Sequence, residues 1–139
     1  MFRYSAQTGV NPTLLPIVIM VRAIIADDEA DSAEVFAEFL RIHEVDVLGI
    51  GKNGLEGVEL YVAHKPDIVF LDLAMPQYNG VYAAEKIKQI DPRAKIVIVS
   101  AYDPSIVKRQ LSGIQVYGVL QKPYVLSEIQ SVLYQKINA

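Results

Sequence analysis

From Val21 onward the chain alternates five times between a short apolar run and a segment of helical spacing. No other feature constrains the fold as strongly. The apolar runs are Val21–Ala26, Val45–Ile50, Ile68–Leu71, Lys95–Ser100 and Val116–Leu120. Lys95-Ile-Val-Ile-Val-Ser100 is the most strand-like, because β-branched side chains suit an extended backbone. Between the runs, apolar residues recur at helical intervals over 29–43, 55–62 and 81–90. Asp103-Pro104 reads as a helix start, with a capping acceptor followed by proline in the first turn, and Gly113 ends that helix. A last amphipathic helix is expected over 127–137, with Ser127 and Gln130 placed to form a capping box. Strands alternating with helices predict a parallel α/β sheet covered on both faces.

The 139 residues suit one domain with a sizeable core. Hydrophobic residues at 52% against 21% charged residues exclude a disordered chain. A net charge of −3 without a long basic run argues against a nucleic-acid surface. The chain has no cysteine, which rules out disulfides, thiolate metal sites and thiol nucleophiles and fits a cytoplasmic protein. The apolar run Leu14–Val21 is broken by Pro16 and is too short to span a bilayer. Residues 1–20 are therefore read as an N-terminal extension and 21–139 as the domain.

In an open parallel sheet, ligands bind at the carboxyl ends of the strands. Those ends carry Asp27-Asp28-Glu29, then Asp72, then Ser100, then Lys122. Asp72 closes the run Val69-Phe-Leu-Asp-Leu-Ala-Met-Pro76, where a carboxylate is costly unless exposed, paired or bound to a cation. Three aspartates meeting at one edge repel each other unless a cation holds them. An all-oxygen set suits a hard divalent ion, Mg²⁺ above all. Strand one is followed by acids where a phosphate-binding loop would carry glycines. A carboxylate beside Mg²⁺, Lys122 and the Ser100 hydroxyl is equipped to act as a nucleophile toward a phosphoryl group.

"IIADDE" (24–29), "VFLDLAMPQYNG" (69–80), "IVIVSA" (96–101) and "LQKPY" (120–124) together resemble the receiver domain of two-component response regulators, of the chemotaxis-regulator type. The resemblance covers residues 21–137. It implies a doubly wound (βα)5 flavodoxin-like sheet with strand order 2-1-3-4-5. It further implies that Asp72 is the phosphoacceptor and that Asp28 and Asp72 ligate Mg²⁺ directly. Asp27 would act through water, and the Ala74 backbone carbonyl would complete the protein ligands. Ser100 would be the switch hydroxyl, and Lys122, before an expected cis proline, would contact the phosphoryl oxygens. The implied donor is a histidine kinase or phosphotransfer protein. The implied output is a protein partner bound through residues 103–137, without direct nucleic-acid or membrane binding. A dimer formed on phosphorylation is also compatible with it.

Many similar domains carry an aromatic residue where this chain has Val119. Tyr117, two residues earlier and on the same face by strand period, is the residue available to replace it. Small Ala74 leaves room for an attacking water, and bulky Tyr102 is expected to shield the phosphoryl group. A second reading is a phosphohydrolase of the haloacid dehalogenase type, but that chemistry needs an acid where Ala74 stands. A third is a binding module that keeps the fold alone, which the complete set of Asp27, Asp28, Asp72, Ser100 and Lys122 opposes. His43, His64, Tyr78, Tyr82 and Lys108-Arg109 are read as ordinary helix-end, packing or solvated residues.

Overall fold

The computed structural model of the protein describes residues 20–138, with side chains described through Tyr134. The apolar run that begins at Leu14 lies outside the described residues except for its end. The elements run β1 (Val21–Ala26), α1 (Ala30–Ile42), β2 (Val45–Gly51), α2 (Gly54–His64), β3 (Ile68–Asp72), α3 (Gly80–Ile90), β4 (Ile96–Ser100), α4 (Pro104–Leu111), β5 (Gly118–Gln121) and α5 (Leu126–Asn138). The five strands are all parallel, in the order β2-β1-β3-β4-β5. Both the alternation and the strand order agree with the sequence reading.

Successive strand residues point to opposite faces, and this splits the core in two. Ile24, Val69, Leu71, Ile96 and Ile98 pack against Tyr61 of α2, Ala84 and Ile87 of α3 and Val107 of α4. Their neighbours Ile25, Ile68, Phe70, Val97 and Val99 pack against Phe36 and Leu40 of α1 and Ile129 and Leu133 of α5. β3 and β4 are buried along their whole length, which explains their unbroken apolar sequence.

Three local details depart from the sequence reading. α2 and α3 begin one residue early, because Asn53 and Asn79 cap them: Asn53 Oδ1 accepts from the Glu56 N–H and Asn79 Oδ1 from the Tyr82 N–H, both at 2.9 Å. The Ser127–Gln130 capping box does not form. α5 starts at Leu126, so Ser127 lies inside it, and Glu128 Oε1 instead accepts from the Val125 N–H at 2.8 Å. β5 starts at Gly118 rather than Val116. Asp103 caps α4 as expected, accepting from the Ser105 N–H at 2.8 Å. Among the described residues, no helix is long and apolar enough to cross a membrane.

Candidate functional site

β1 lies between β2 and β3, so the chain reverses its order of strand addition there. The crevice at such a reversal, above the carboxyl ends, is the natural ligand site of an open α/β sheet. Asp27 follows β1 directly, and Asp72 is the last residue of β3. Asp27, Asp28 and Asp72 each offer a carboxylate oxygen within 4.8 Å of the others. Asp27 and Asp72 are buried, whereas Asp28 is exposed.

Backbone amides orient both buried carboxylates. Asp27 Oδ1 accepts from the Glu29 N–H at 2.9 Å, while its own N–H donates to the Gly51 carbonyl at 2.9 Å. Asp72 Oδ1 accepts from the Ala74 N–H at 3.0 Å. Lys122 supplies the cation: its Nζ stands 3.2 Å from Asp72 Oδ2 and 3.8 Å from Asp27 Oδ2. β5 delivers it, because the Lys122 N–H donates to the Ser100 carbonyl at 2.8 Å. The Lys122–Pro123 peptide is cis, as expected.

Three carboxylates and one ammonium leave the crevice with a double negative charge when all are ionised. The electrostatics record the imbalance. Burial pushes the Asp27 carboxyl above its ordinary value; the Glu29 N–H and Lys122 oppose that, and the Asp72 and Asp28 charges add to it. Burial also works against the Lys122 ammonium, but the charge and hydrogen bond of Asp72, helped by Asp27, hold it above its ordinary value. An oxygen-rich, cation-deficient crevice with one carboxylate open to solvent fits a partly hydrated divalent ion such as Mg²⁺. Asp27, Asp28 and Asp72 are the side chains that would hold it.

Ser100 closes β4 and is almost fully buried. Its Oγ accepts from the Tyr102 N–H at 3.0 Å, so the hydroxyl and the Tyr102 backbone form one turn beside Lys122. Ala74 is exposed, and the Tyr102 side chain is 40% exposed.

Tyr117 stands elsewhere, which corrects the parity argument. Because β5 begins at Gly118, the two-residue period does not extend back from Val119 to Tyr117. Val119 lines a groove with Val107, Leu111 and Val116 on the α4 side. Tyr117 packs against the α1–α5 half of the core, with Lys95 Nζ 4.9 Å from its ring centre. Its N–H donates to the Ile96 carbonyl, at the opposite end of β4 from Ser100. At ~3.3 Å per residue, that end of the strand is roughly 13 Å from Ser100.

Sequence reasoning assigned no role to Tyr124, yet it lines the crevice with Asp27, Asp72 and Lys122. Its ring meets Phe36 edge-on at 5.6 Å, and burial raises its phenol above the ordinary value. The signal was its place two residues after Lys122. The Tyr78 and Tyr82 rings meet at 5.0 Å, tilted by 54°, on the loop side of α3, in agreement with a packing role. His43 is more engaged than a solvated helix end: its Nδ1 pairs with the Phe39 carbonyl at 3.0 Å and its Nε2 with Gln130 of α5 at 3.2 Å.

Comparison with known proteins agrees with this fold. A family model described as the response regulator receiver domain matches residues 23–134. The chemotaxis protein CheY of Treponema pallidum is 35% identical over 118 residues, covering 81% of this chain and 82% of that one. CheY of Thermotoga maritima is 41% identical over 80 residues, 58% of this chain and 67% of that one. The transcriptional regulatory protein PdtaR of Mycobacterium tuberculosis is 34% identical over 110 residues, and the match spans 52% of its length. Among solved structures, the receiver domain of the putative response regulator NarL from M. tuberculosis superposes with a TM-score of 0.77 at 27% identity, covering 86% of this chain and 98% of that one. A chain of the CheX–CheY–BeF3–Mg complex from Borrelia burgdorferi shares the fold, with a TM-score of 0.78 at 19% identity, covering 84% and 89%.

Proposed function

The chain belongs to the response regulator receiver family, and from that premise we propose that Asp72 accepts a phosphoryl group from a phosphohistidine donor in a Mg²⁺-dependent reaction. The observation that carries this reading is the setting of the Asp72 carboxylate. One oxygen rests on the Ala74 N–H and the other on Lys122 Nζ, with two more carboxylates within 4.8 Å. In the transfer, an Asp72 oxygen forms a bond to phosphorus as the phosphorus–nitrogen bond breaks. The electron pair leaves with the imidazole of the donor, and the product is an acyl phosphate. Bound Mg²⁺ would neutralise charge on the transferring oxygens.

The chain's own groups do the rest. Lys122 and the Ala74 N–H would follow charge from the carboxylate onto the phosphoryl oxygens, and Ser100 ends the neighbouring strand one residue beyond Val99, the register partner of Asp72. Moving Lys122 or Ser100 toward that group would pull on the ends of β4 and β5, which the Lys122 N–H to Ser100 carbonyl bond ties together. Phosphorylation would thereby bias an existing equilibrium toward a state read by a protein partner. The face formed by residues 103–137 suits that partner, because Val119 is 40% exposed beside an apolar groove under α4. In this reading 21–139 is the receiver unit, residues 1–20 precede it, and the protein works in the cytoplasm.

The test is incubation with Mg²⁺ and acetyl phosphate, followed by intact-mass measurement. A gain of one phosphoryl group that is absent in Asp72→Asn and in chelator supports the reading. Steady turnover of phosphate esters without a stable adduct would favour a hydrolase and contradict it.

A further inference from the structure

The β2–α2 connection, Gly51 to Gly54, is not used by the chemistry above. We propose that it is the positioning element of the cation site, a brace that holds Asp27 on one side and the loop after Asp72 on the other. The inference rests on the reading of Asp27, Asp28 and Asp72 as a Mg²⁺ site.

The brace has two backbone hydrogen bonds that share one short segment. The Gly51 carbonyl accepts from the Asp27 N–H at 2.9 Å, one step beyond the last β1–β2 pair, Ala26 with Gly51. Three residues on, the Gly54 N–H donates to the Tyr78 carbonyl. Gly54 is the first residue of α2, so its N–H has no partner within the helix. The loop between β3 and α3 supplies one. Asn53 caps the same helix, with the Lys52 N–H bound to Glu56 Oε1 at 2.9 Å, so the segment is itself tied down.

The fit requires glycine at Gly54 and leaves little room for more at Gly51. A Cβ on Gly54 would fall inside the contact distance of the Asn79 carbonyl oxygen and lie 2.6 Å from the Tyr78 carbonyl oxygen. A Cβ on Gly51 would lie 3.0 Å from the Gly57 nitrogen. The atoms in the way at Gly54 are all backbone, which cannot rotate aside. The loop itself is short and closely held: the Met75 N–H donates to the Leu73 carbonyl at 3.1 Å and the Gly80 N–H to the same oxygen at 3.2 Å. Ala74 sits inside this turn, so a displacement of Tyr78 is carried to Ala74 and to the Asp72 carboxylate it holds. Gly54 is therefore a positioning residue, acting through Tyr78 and Ala74.

The test is Gly54→Ala in the full chain, with Mg²⁺ affinity measured by calorimetry at a temperature where both proteins are folded. Alanine is the better helix former, so α2 itself is not weakened. The expected result is a ~10-fold loss of Mg²⁺ affinity, the size seen when groups that orient metal ligands are disturbed. Unchanged affinity in a folded Gly54→Ala overturns the brace. If that variant does not fold, amide exchange of Gly54 in the wild-type chain decides. Site and brace are linked, so saturating Mg²⁺ must slow that exchange by a comparable factor, and an unchanged rate overturns the proposal. A wild-type chain without saturable Mg²⁺ binding overturns the site reading and the brace together. Wild-type binding with an insensitive Gly54 overturns the brace alone.

Discussion

Lys122 reaches back across fifty residues of sequence to place its Nζ 3.2 Å from Asp72 Oδ2. The same ammonium lies 3.8 Å from Asp27 Oδ2, so it offsets two of the three carboxylates in the crevice. It is therefore both the organiser of the metal-free site and a rival of the cation.

Removing that ammonium separates the two roles. Lys122→Met is expected to lower metal-free stability by ~1–3 kcal/mol, because buried acceptors lose a charged donor. It is also expected to bind Mg²⁺ more tightly, by ~1 kcal/mol or roughly fivefold, because a neighbouring positive charge is gone. Thermal unfolding with and without Mg²⁺ checks both. The deficit should shrink as Mg²⁺ is added, and a deficit that ignores Mg²⁺ would contradict the shared-charge account.

Asp28 is the opposite case, since it is exposed. Asp28→Asn should leave metal-free stability within about 0.5 kcal/mol, as surface changes usually do. Its Mg²⁺ affinity should drop by at least ~1.4 kcal/mol, a factor of ten. Calorimetric titration of Mg²⁺ into the folded variant measures it.

A second polar pair, a buried phenol on a half-buried carboxylate, lies at the other end of the sheet and sets an alkaline limit. The Tyr61 hydroxyl donates to Asp91 Oδ2 at 3.0 Å, and burial, then Asp91, push the phenol up to about 12 from 10.0. A folded value above the unfolded one means that the contribution is full below pH 10 and is lost as pH rises from 10 through about 12. Asp91 runs the other way. The Arg93 N–H, then Tyr61, hold its carboxyl below 3.8, so its contribution is present above that value and is lost as pH falls through the folded one. Phenol absorbance against pH should show late-titrating tyrosines, Tyr61 and Tyr124, and the amplitude of that late phase should fall by one phenol in Tyr61→Phe.

Tyr102 follows the end of β4 by two residues, its N–H is bound to Ser100 Oγ, and its side chain is 40% exposed. Tyr102→Ala keeps that N–H and removes the ring. Loss of the phosphoryl group from the variant should be faster than from the wild type, followed by the decay of the phosphorylated mass. An equal rate would mean that the ring does not shield the acyl phosphate.

Much of this site was legible in the sequence because two patterns alternate along it. Short unbroken apolar runs and helical repeats marked the βα alternation, and the carboxyl ends of the strands then fell on Asp27, Asp72, Ser100 and Lys122. Tyr117 was misplaced because parity holds only inside a strand, and β5 starts one residue after it. The capping box at Ser127 failed for a similar reason, since the helix starts one residue earlier and Glu128 takes the cap. The bracing role of Gly54 was invisible because its partner, Tyr78, is distant in sequence and the contact is backbone to backbone. A glycine's lack of a side chain says nothing about what lies beside it.

The central claim is that Asp72 is the atom-level acceptor, and peptide mapping after reductive trapping of the acyl phosphate tests it most directly. After exposure to a phosphorylated histidine donor and Mg²⁺, borohydride should convert only the Asp72 side chain, and Asp72→Asn should show no trapped product. Trapping at Asp27 or Asp28 in the wild-type chain, or an unchanged yield in Asp72→Asn, would contradict the account.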